Sequence, residues 1–176
     1  MKQPTRDLFR NDLRARLKGV AGLFANTQAM CTSFKQDLLN GLHAFGASVI
    51  RAGTTKDTFN AALYYASASP AITAATTAYT ATGECSGGGY SAGGIAVTNA
   101  TAPTTSGTTA FWTPSASLVW AGLTQAAFDT VLVYNNTAAG KNAVSVHTFG
   151  SQTIVAGTFT LTMPTNDATH ALLQLA

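Results

Sequence analysis

Six glycines fall within the seventeen residues 78–94, AYTATGECSGGGYSAGG, a density that suits a backbone cradle for phosphate. Such a cradle needs a cation and a helix N-terminus, as in G-x-x-x-x-G-K-[ST]. The only lysine after Lys56 is Lys141, which excludes that motif. Gly87-x-Gly89 puts the third position of a dinucleotide fingerprint on Ala92, and no segment of helical pattern follows to complete a β-α-β unit. The glycines therefore read as structural turns and close backbone approaches at Gly83, Gly87, Gly89, Gly93 and Gly94, with Tyr79 and Tyr90 anchoring the two sides.

Hydrolytic chemistry draws no stronger support. His43 falls on the apolar face of a predicted helix, and His147 and His170 fall in two predicted strands. Having Ser, His and Asp in one chain proves no triad. The acidic residues Asp37, Asp57, Glu84, Asp129 and Asp167 are dispersed, so a paired-carboxylate site has no support in spacing. Asp167, in PTNDATH, reads as a turn stabiliser. Cys31 and Cys85 have no C-x-x-C spacing and no neighbouring histidine pair, so a metal site is unsupported. They read as one disulfide or as two free buried thiols. No catalytic, cofactor-binding or metal-binding residue is predicted, and the chain reads as a non-enzyme.

The elements that position these residues change character along the chain. Residues 5–18, TRDLFRNDLRARLK, read as a helix capped by Thr5 and stopped by Gly19. Phe9, Leu13 and Leu17 recur every fourth residue, and Arg6, Arg10, Arg14 and Lys18 form a parallel basic ridge. Six basic residues against Asp7 and Asp12 give residues 1–18 a local charge of +4, more than the +3 of the whole chain. The ridge suits an acidic partner, so a nucleic-acid contact is predicted only through this segment. The following GVAGLFANTQA lacks a signal-peptide cleavage site, and no run reaches the roughly 18 apolar residues of a membrane span.

A second helix is predicted from Ser33, with Ser33 and Gln36 at capping-box spacing. Phe34, Leu38, Leu42 and Phe45 form its apolar face, and Gly46 is its stop. Met30 reads as an alternative start. From residue 57 the pattern becomes short strands, among them DTFNAALYYA, GGIAVTNA, TAFW, ASLVWAG, FDTVLVYNN, NAVSVHTFG, GTFTLTMP and THALLQLA. In TFTLTM, Phe159, Leu161 and Met163 alternate with threonines. Residues 98–109, TNATAPTTSGTT, read as a surface loop. The fold class is mainly β: an antiparallel β-sandwich or jelly-roll-like domain preceded by one or two helices. The predicted divisions are a basic helical extension (1–29), a helix and connector (30–56) and the β-sandwich (57–176).

Charged residues make up 10% of the chain, against about 25% in an average soluble protein. A surface solubilised by hydroxyls suits assemblies better than cytosolic enzymes. The ordered stretches SFKQDLLNGLHAF, FNAALYYA, TAYTATGECSGGGYSAGGIAVT, LVYNNTAAGKNAVSVHTFGSQTIVAGTFTLTMP and DATHALLQLA resemble small virion-associated structural proteins of tailed bacteriophages, over about residues 33–176. The family stretch T-G-E-x-S-G-x-G-Y-x-A-G-G corresponds here to residues 82–94. The resemblance implies a virion component assembled in a bacterial host, either a capsid decoration or cement protein or a small tail or fibre component. Implied partners are the major capsid protein or other virion proteins, and further copies of the chain. A carbohydrate- or receptor-binding β module is the competing expectation. Phe111 and Trp112 are the predicted partner-binding aromatics, beside the 98–109 loop.

Overall fold

A computed structural model describes residues 27–46 and 55–176. The chain is mainly β, with two antiparallel sheets and one helix among the described residues. Strand β1 (Thr27–Met30) leads into helix α1 (Thr32–Leu39), followed by β2 (Phe59–Tyr65), β3 (Ile95–Val97), β4 (Thr104–Ser106), β5 (Thr109–Trp112), β6 (Leu118–Asn135), β7 (Ala143–Leu161) and β8 (Leu173–Leu175). The larger sheet has the order β1-β7-β6-β2-β3 and the smaller one β4-β5-β8. Apolar runs buried on both faces, such as Ala61–Tyr64 and Val131–Tyr134, fill the middle of the larger sheet.

The β6–β7 hairpin organises the molecule. Each strand reads in sequence as two, because Gly122 interrupts the first and Gly150 and Gly157 the second. The structure joins them into strands of 18 and 19 residues, with bulges where breaks are predicted. Gly122, Ala127 and Ala156 adopt positive φ, and the pairing register shifts repeatedly between Trp120 and Thr130. Bulges bend and coil a strand, and here they fold the hairpin over itself. The Phe149 and Phe159 ring centroids are 5.2 Å apart, although ten residues of straight strand span about 33 Å. Phe128 meets Phe159 edge-on at 5.0 Å. Trp120 closes the cluster at 5.6 Å from Phe159.

A second aromatic cluster ties the helix and the small sheet to the large one. Phe45 stacks on Phe59 at 4.6 Å, Trp112 lies 4.7 Å from Phe45, and Phe34 lies 5.9 Å from Phe45. Alternation along the end of β7 follows the expected pattern, with Phe159, Leu161 and Met163 against the core and Thr158, Thr160 and Thr162 exposed.

Four further sequence expectations differ from the structure. Helix α1 is shorter than predicted: Asn40 donates to the Gln36 carbonyl, and Gly41 follows in the left-handed region, a C-terminal stop that precedes Gly46 by five residues. Phe45 still reaches the core from the connector, whereas Leu42 is exposed. No capping box forms, since the N-cap is Cys31 and Ser33 Oγ is buried without a partner. A boundary after residue 29 cuts through β1, which pairs with β7 from Thr27↔Thr148 to Met30↔Ser145. Within the predicted surface loop 98–109, Thr104–Ser106 pair with β5, as β-branched threonines favour. The predicted 5–18 helix lies outside the described residues.

Candidate functional site

The glycine-rich stretch is the most heavily hydrogen-bonded loop of the described chain. Its backbone continues the edge of β2: Tyr65 N–H donates to Gly83 O at 3.0 Å, and Cys85 N–H donates to Leu63 O at 2.9 Å. It then crosses to β6, where Thr124 N–H donates to Gly88 O at 2.7 Å. All of Gly83, Gly87, Gly88, Gly89, Gly93 and Gly94 have positive φ.

Glu84 is the hub of the loop. Its carboxylate is buried and accepts from Tyr79 Oη at 2.6 Å, Tyr90 Oη at 2.6 Å and Gly93 N–H at 2.7 Å. Burial first, and the hydrogen bond to Glu84 second, push the Tyr79 and Tyr90 phenols well above their ordinary range. Tyr134 Oη donates to Gly93 O, Tyr64 Oη donates to Thr80 O, and Tyr65 Oη accepts from Ser86 N–H. The chain has five tyrosines, and every one bonds within this loop. Gln125 Nε2 adds donations to Ser86 O and Gly87 O. The loop is a clasp that joins β2 to β6.

A motif missed in the sequence is Gly89-Tyr90-Ser91-Ala92-Gly93, which has the G-x-S-x-G spacing of a nucleophile elbow. An elbow needs a strand-to-helix turn and a histidine. Here Ser91 sits in a turn closed by Gly94 N–H to Ser91 O, and β3 follows rather than a helix. All three histidines are engaged elsewhere: His43 Nδ1 with Asn135 at 3.0 Å, His147 Nε2 with Ser145 at 3.1 Å, and His170 Nδ1 with Asp167 at 2.9 Å.

Ser145 and His147 are a hydroxyl–imidazole pair, but both are buried, and among the described residues no carboxylate hydrogen-bonds to the ring. His147 also lines a cavity of ≈320 Å³ between residues 147–149 and 161–164. Burial pushes its imidazole down to about 4, too low for a base poised near neutrality. The unfolded value is about 6.5, so this burial contributes its full stability above pH 6.5. As pH falls further, the unfolded chain takes up a proton that the folded chain refuses. Stability then drops by about 1.4 kcal/mol per pH unit, about 3 kcal/mol in all by pH 4. Urea unfolding from pH 7 to pH 4 measures this slope. His147→Gln is expected to flatten it; an unchanged slope would assign the acid sensitivity elsewhere.

A third polar cluster fixes the hairpin turn. Asn135 donates to His43 Nδ1 and to Asp57 Oδ2 at 2.8 Å, and its Oδ1 accepts from Thr137 and Ala138 N–H. Because Nδ1 accepts, neutral His43 carries its proton on Nε2, which faces Asp37 Oδ2 at 3.6 Å, beyond hydrogen-bond distance. Burial lowers the His43 pKa despite the opposing pull of Asp37 and Asp57.

The predicted partner aromatics are not exposed anchors. Trp112 is 2% exposed, held by its indole N–H donating to Thr101 O and by Phe45 and Phe59. Phe111 is 8% exposed. Both line an apolar groove between α1 and the small sheet. Arg6, Arg10, Arg14 and Lys18 lie outside the described residues. Cys31 and Cys85 are free and buried, with thiols pushed up by burial to about 11 and about 12.

Among the described residues, no group of three His, Cys, Asp or Glu is placed to hold a metal ion, and no helix is long and apolar enough to cross a membrane. Comparison of the chain with family models, with curated proteins and with solved structures gives no match.

Proposed function

We propose that the protein is a non-enzymatic structural component of a bacteriophage particle, a decoration or cement protein seated on the capsid lattice. The observation that carries this reading is the outer half of the β6–β7 hairpin. Residues 118–128 and 149–161 contain no charged residue. They meet solvent through Thr124, Thr153, Thr158 and Thr160 and through Val119 and Val155, the latter 76% exposed. An uncharged strand pair buries against a partner with little desolvation penalty, whereas soluble monomers usually guard such edges with charge or proline.

Two further features support the reading. The five carboxylates of the described residues all accept hydrogen bonds within the fold: Asp37 from Asn142, Asp57 from Ala44 and Asn135, Glu84 from its three donors, Asp129 from Thr130, and Asp167 from Thr165, Thr169 and His170. Each is engaged by backbone or side-chain donors of the fold itself. The ordered motif resemblance to virion-associated proteins points the same way. Cementing acts through added area: a rigid body across a junction between capsid subunits supplies interface, about 1,600 Å² in an ordinary case, that lattice expansion must break.

Particles banded from the phage host are the test. Quantitative mass spectrometry is expected to find the chain in a fixed ratio to the major capsid protein, and cryo-microscopy to find its density repeated over the lattice. Density confined to the tail would move the protein to the tail or receptor-binding class, and absence from particles would end the proposal.

A further inference from the structure

We infer that the cavity between residues 147–149 and 161–164 is a binding site for a single neutral sugar ring. The site stands apart from the lattice contact proposed above, and its test is separate.

The cavity exists because the hairpin folds back on itself. The bend of β7 sets the chain at Met163 and Pro164 against the strand at His147 and Phe149, and β1 supplies a third side through Gln28. Both main walls are fixed. Phe149 packs against Phe159 at 5.2 Å and Phe128 at 6.0 Å, and Met163 N–H donates to Ser117 Oγ at 3.2 Å. A site already held in shape loses little in ordering when a ligand enters. Its volume of ≈320 Å³ lies at the lower end of the ~300–1,000 Å³ common for ligand pockets, which is room for one ring and not for a chain of them.

The polar groups select the ligand. His147 is 6% exposed, its Nε2 meets Ser145 Oγ at 3.1 Å, and among the described residues its Nδ1 bonds to no protein group. The ring is otherwise enclosed, so a partner for Nδ1 has to come from the cavity that His147 lines. Because the Ser145 hydroxyl can give or take the bond to Nε2, Nδ1 can present either a lone pair or an N–H. A ligand hydroxyl answers both. Gln28 stands directly opposite His147 in the β1–β7 register, so the two side chains share a face. Gln28 and Thr162 are exposed where the cavity opens. Imidazole, amide and hydroxyl are all neutral at pH 7, since burial holds the His147 pKa at about 4. Among the described residues no charged side chain lines the cavity, so a phosphate, carboxylate or amine would enter unpaired. Phe149, Met163 and Pro164 supply the apolar remainder. A few placed neutral polar groups around an apolar wall match a sugar, whose ring carries hydroxyls at its rim and an apolar C–H face.

Titration of the full chain with D-glucose, D-galactose, D-mannose and N-acetyl-D-glucosamine, followed by NMR of the imidazole nitrogens and phenylalanine ring protons, tests the assignment. At least one of these sugars is expected to shift the His147 and Phe149 resonances to saturation at millimolar concentration, with His43 and His170 unmoved. His147→Gln keeps a side-chain amide for Ser145 and removes the group facing the cavity, and is expected to weaken that sugar at least tenfold. Gln28→Leu changes an exposed edge position that the fold does not depend on, and is expected to weaken it at least threefold. Cyclohexanol, a ring of the same size with one hydroxyl, is expected to bind at least tenfold more weakly than the sugar. Equal affinity for cyclohexanol would reduce the cavity to apolar volume and overturn the inference. So would sugar affinity unchanged in Gln28→Leu and in folded His147→Gln, saturating shifts that leave His147 unmoved, or the absence of a saturating shift with all four sugars.

Discussion

Glu84→Ala is expected to lower the unfolding free energy by about 3–5 kcal/mol, because one buried and two half-buried donors lose their acceptor together. The truncation strands the hydroxyls of Tyr79 and Tyr90 and the amide of Gly93. Tyr90 is the least able to adjust, since its oxygen also accepts from Leu63 N–H in the middle of β2 at 3.1 Å. Glu84→Gln keeps the shape and one acceptor oxygen but turns an amide donor toward donors, so a loss of about 2 kcal/mol is expected. Tyr79→Phe removes a single donor from the more open side and is expected to cost about 1 kcal/mol. Urea unfolding followed by circular dichroism orders the three. A loss below 1 kcal/mol for Glu84→Ala would mean that the tyrosines hold the loop through packing alone, and the carboxylate would no longer be its hub.

That hub shows where sequence reading reaches and where it stops. The mainly-β class was legible because the alternation in TFTLTM and the β-branched runs around Val131–Val133 state their periodicity locally. The long hairpin was not, because a glycine at a bulge and a glycine at a strand end leave the same mark. Gly122 lies at a register shift and Gly157 pairs with Leu123, both inside strands that run on past them, and only the pairing partner distinguishes the two cases. Helix α1 was overextended for a related reason: apolar spacing persists through Leu42 and Phe45, so period alone carries past the stop at Asn40 and Gly41. Glu84 carried one faint signal, a lone acid among glycines between Tyr79 and Tyr90. The groove carried none, because its walls come from α1, β5 and β8 and meet only in the folded chain. The pentapeptide GYSAG shows the opposite failure, in which a catalytic spacing occurs without the helix and base that give it meaning.

Gly94→Ala is expected to have the largest single effect, a loss above about 4 kcal/mol or failure to fold. Gly94 has φ +74°, and a Cβ there would overlap the carbonyl oxygen of Ala61 and sit 2.8 Å from the Cα of Ala62. Both belong to β2, which is paired on one side with β6 and on the other with β3, so the obstructing backbone has no free direction in which to yield. Gly87 separates this collision from the conformational term. Its φ is similarly positive, at +66°, yet nothing lies within 4 Å of its Cβ position. Gly87→Ala is therefore expected to cost only the left-handed strain, about 1–2 kcal/mol. Gly93→Ala falls between, with Tyr134 Oη 3.3 Å away at the end of a side chain that can shift. Thermal unfolding of the three variants should rank them Gly87, Gly93, Gly94 in rising order of damage. Equal losses at Gly87 and Gly94 would mean that backbone φ alone sets the tolerance, and that the close approach of the loop to β2 contributes nothing to specifying the fold.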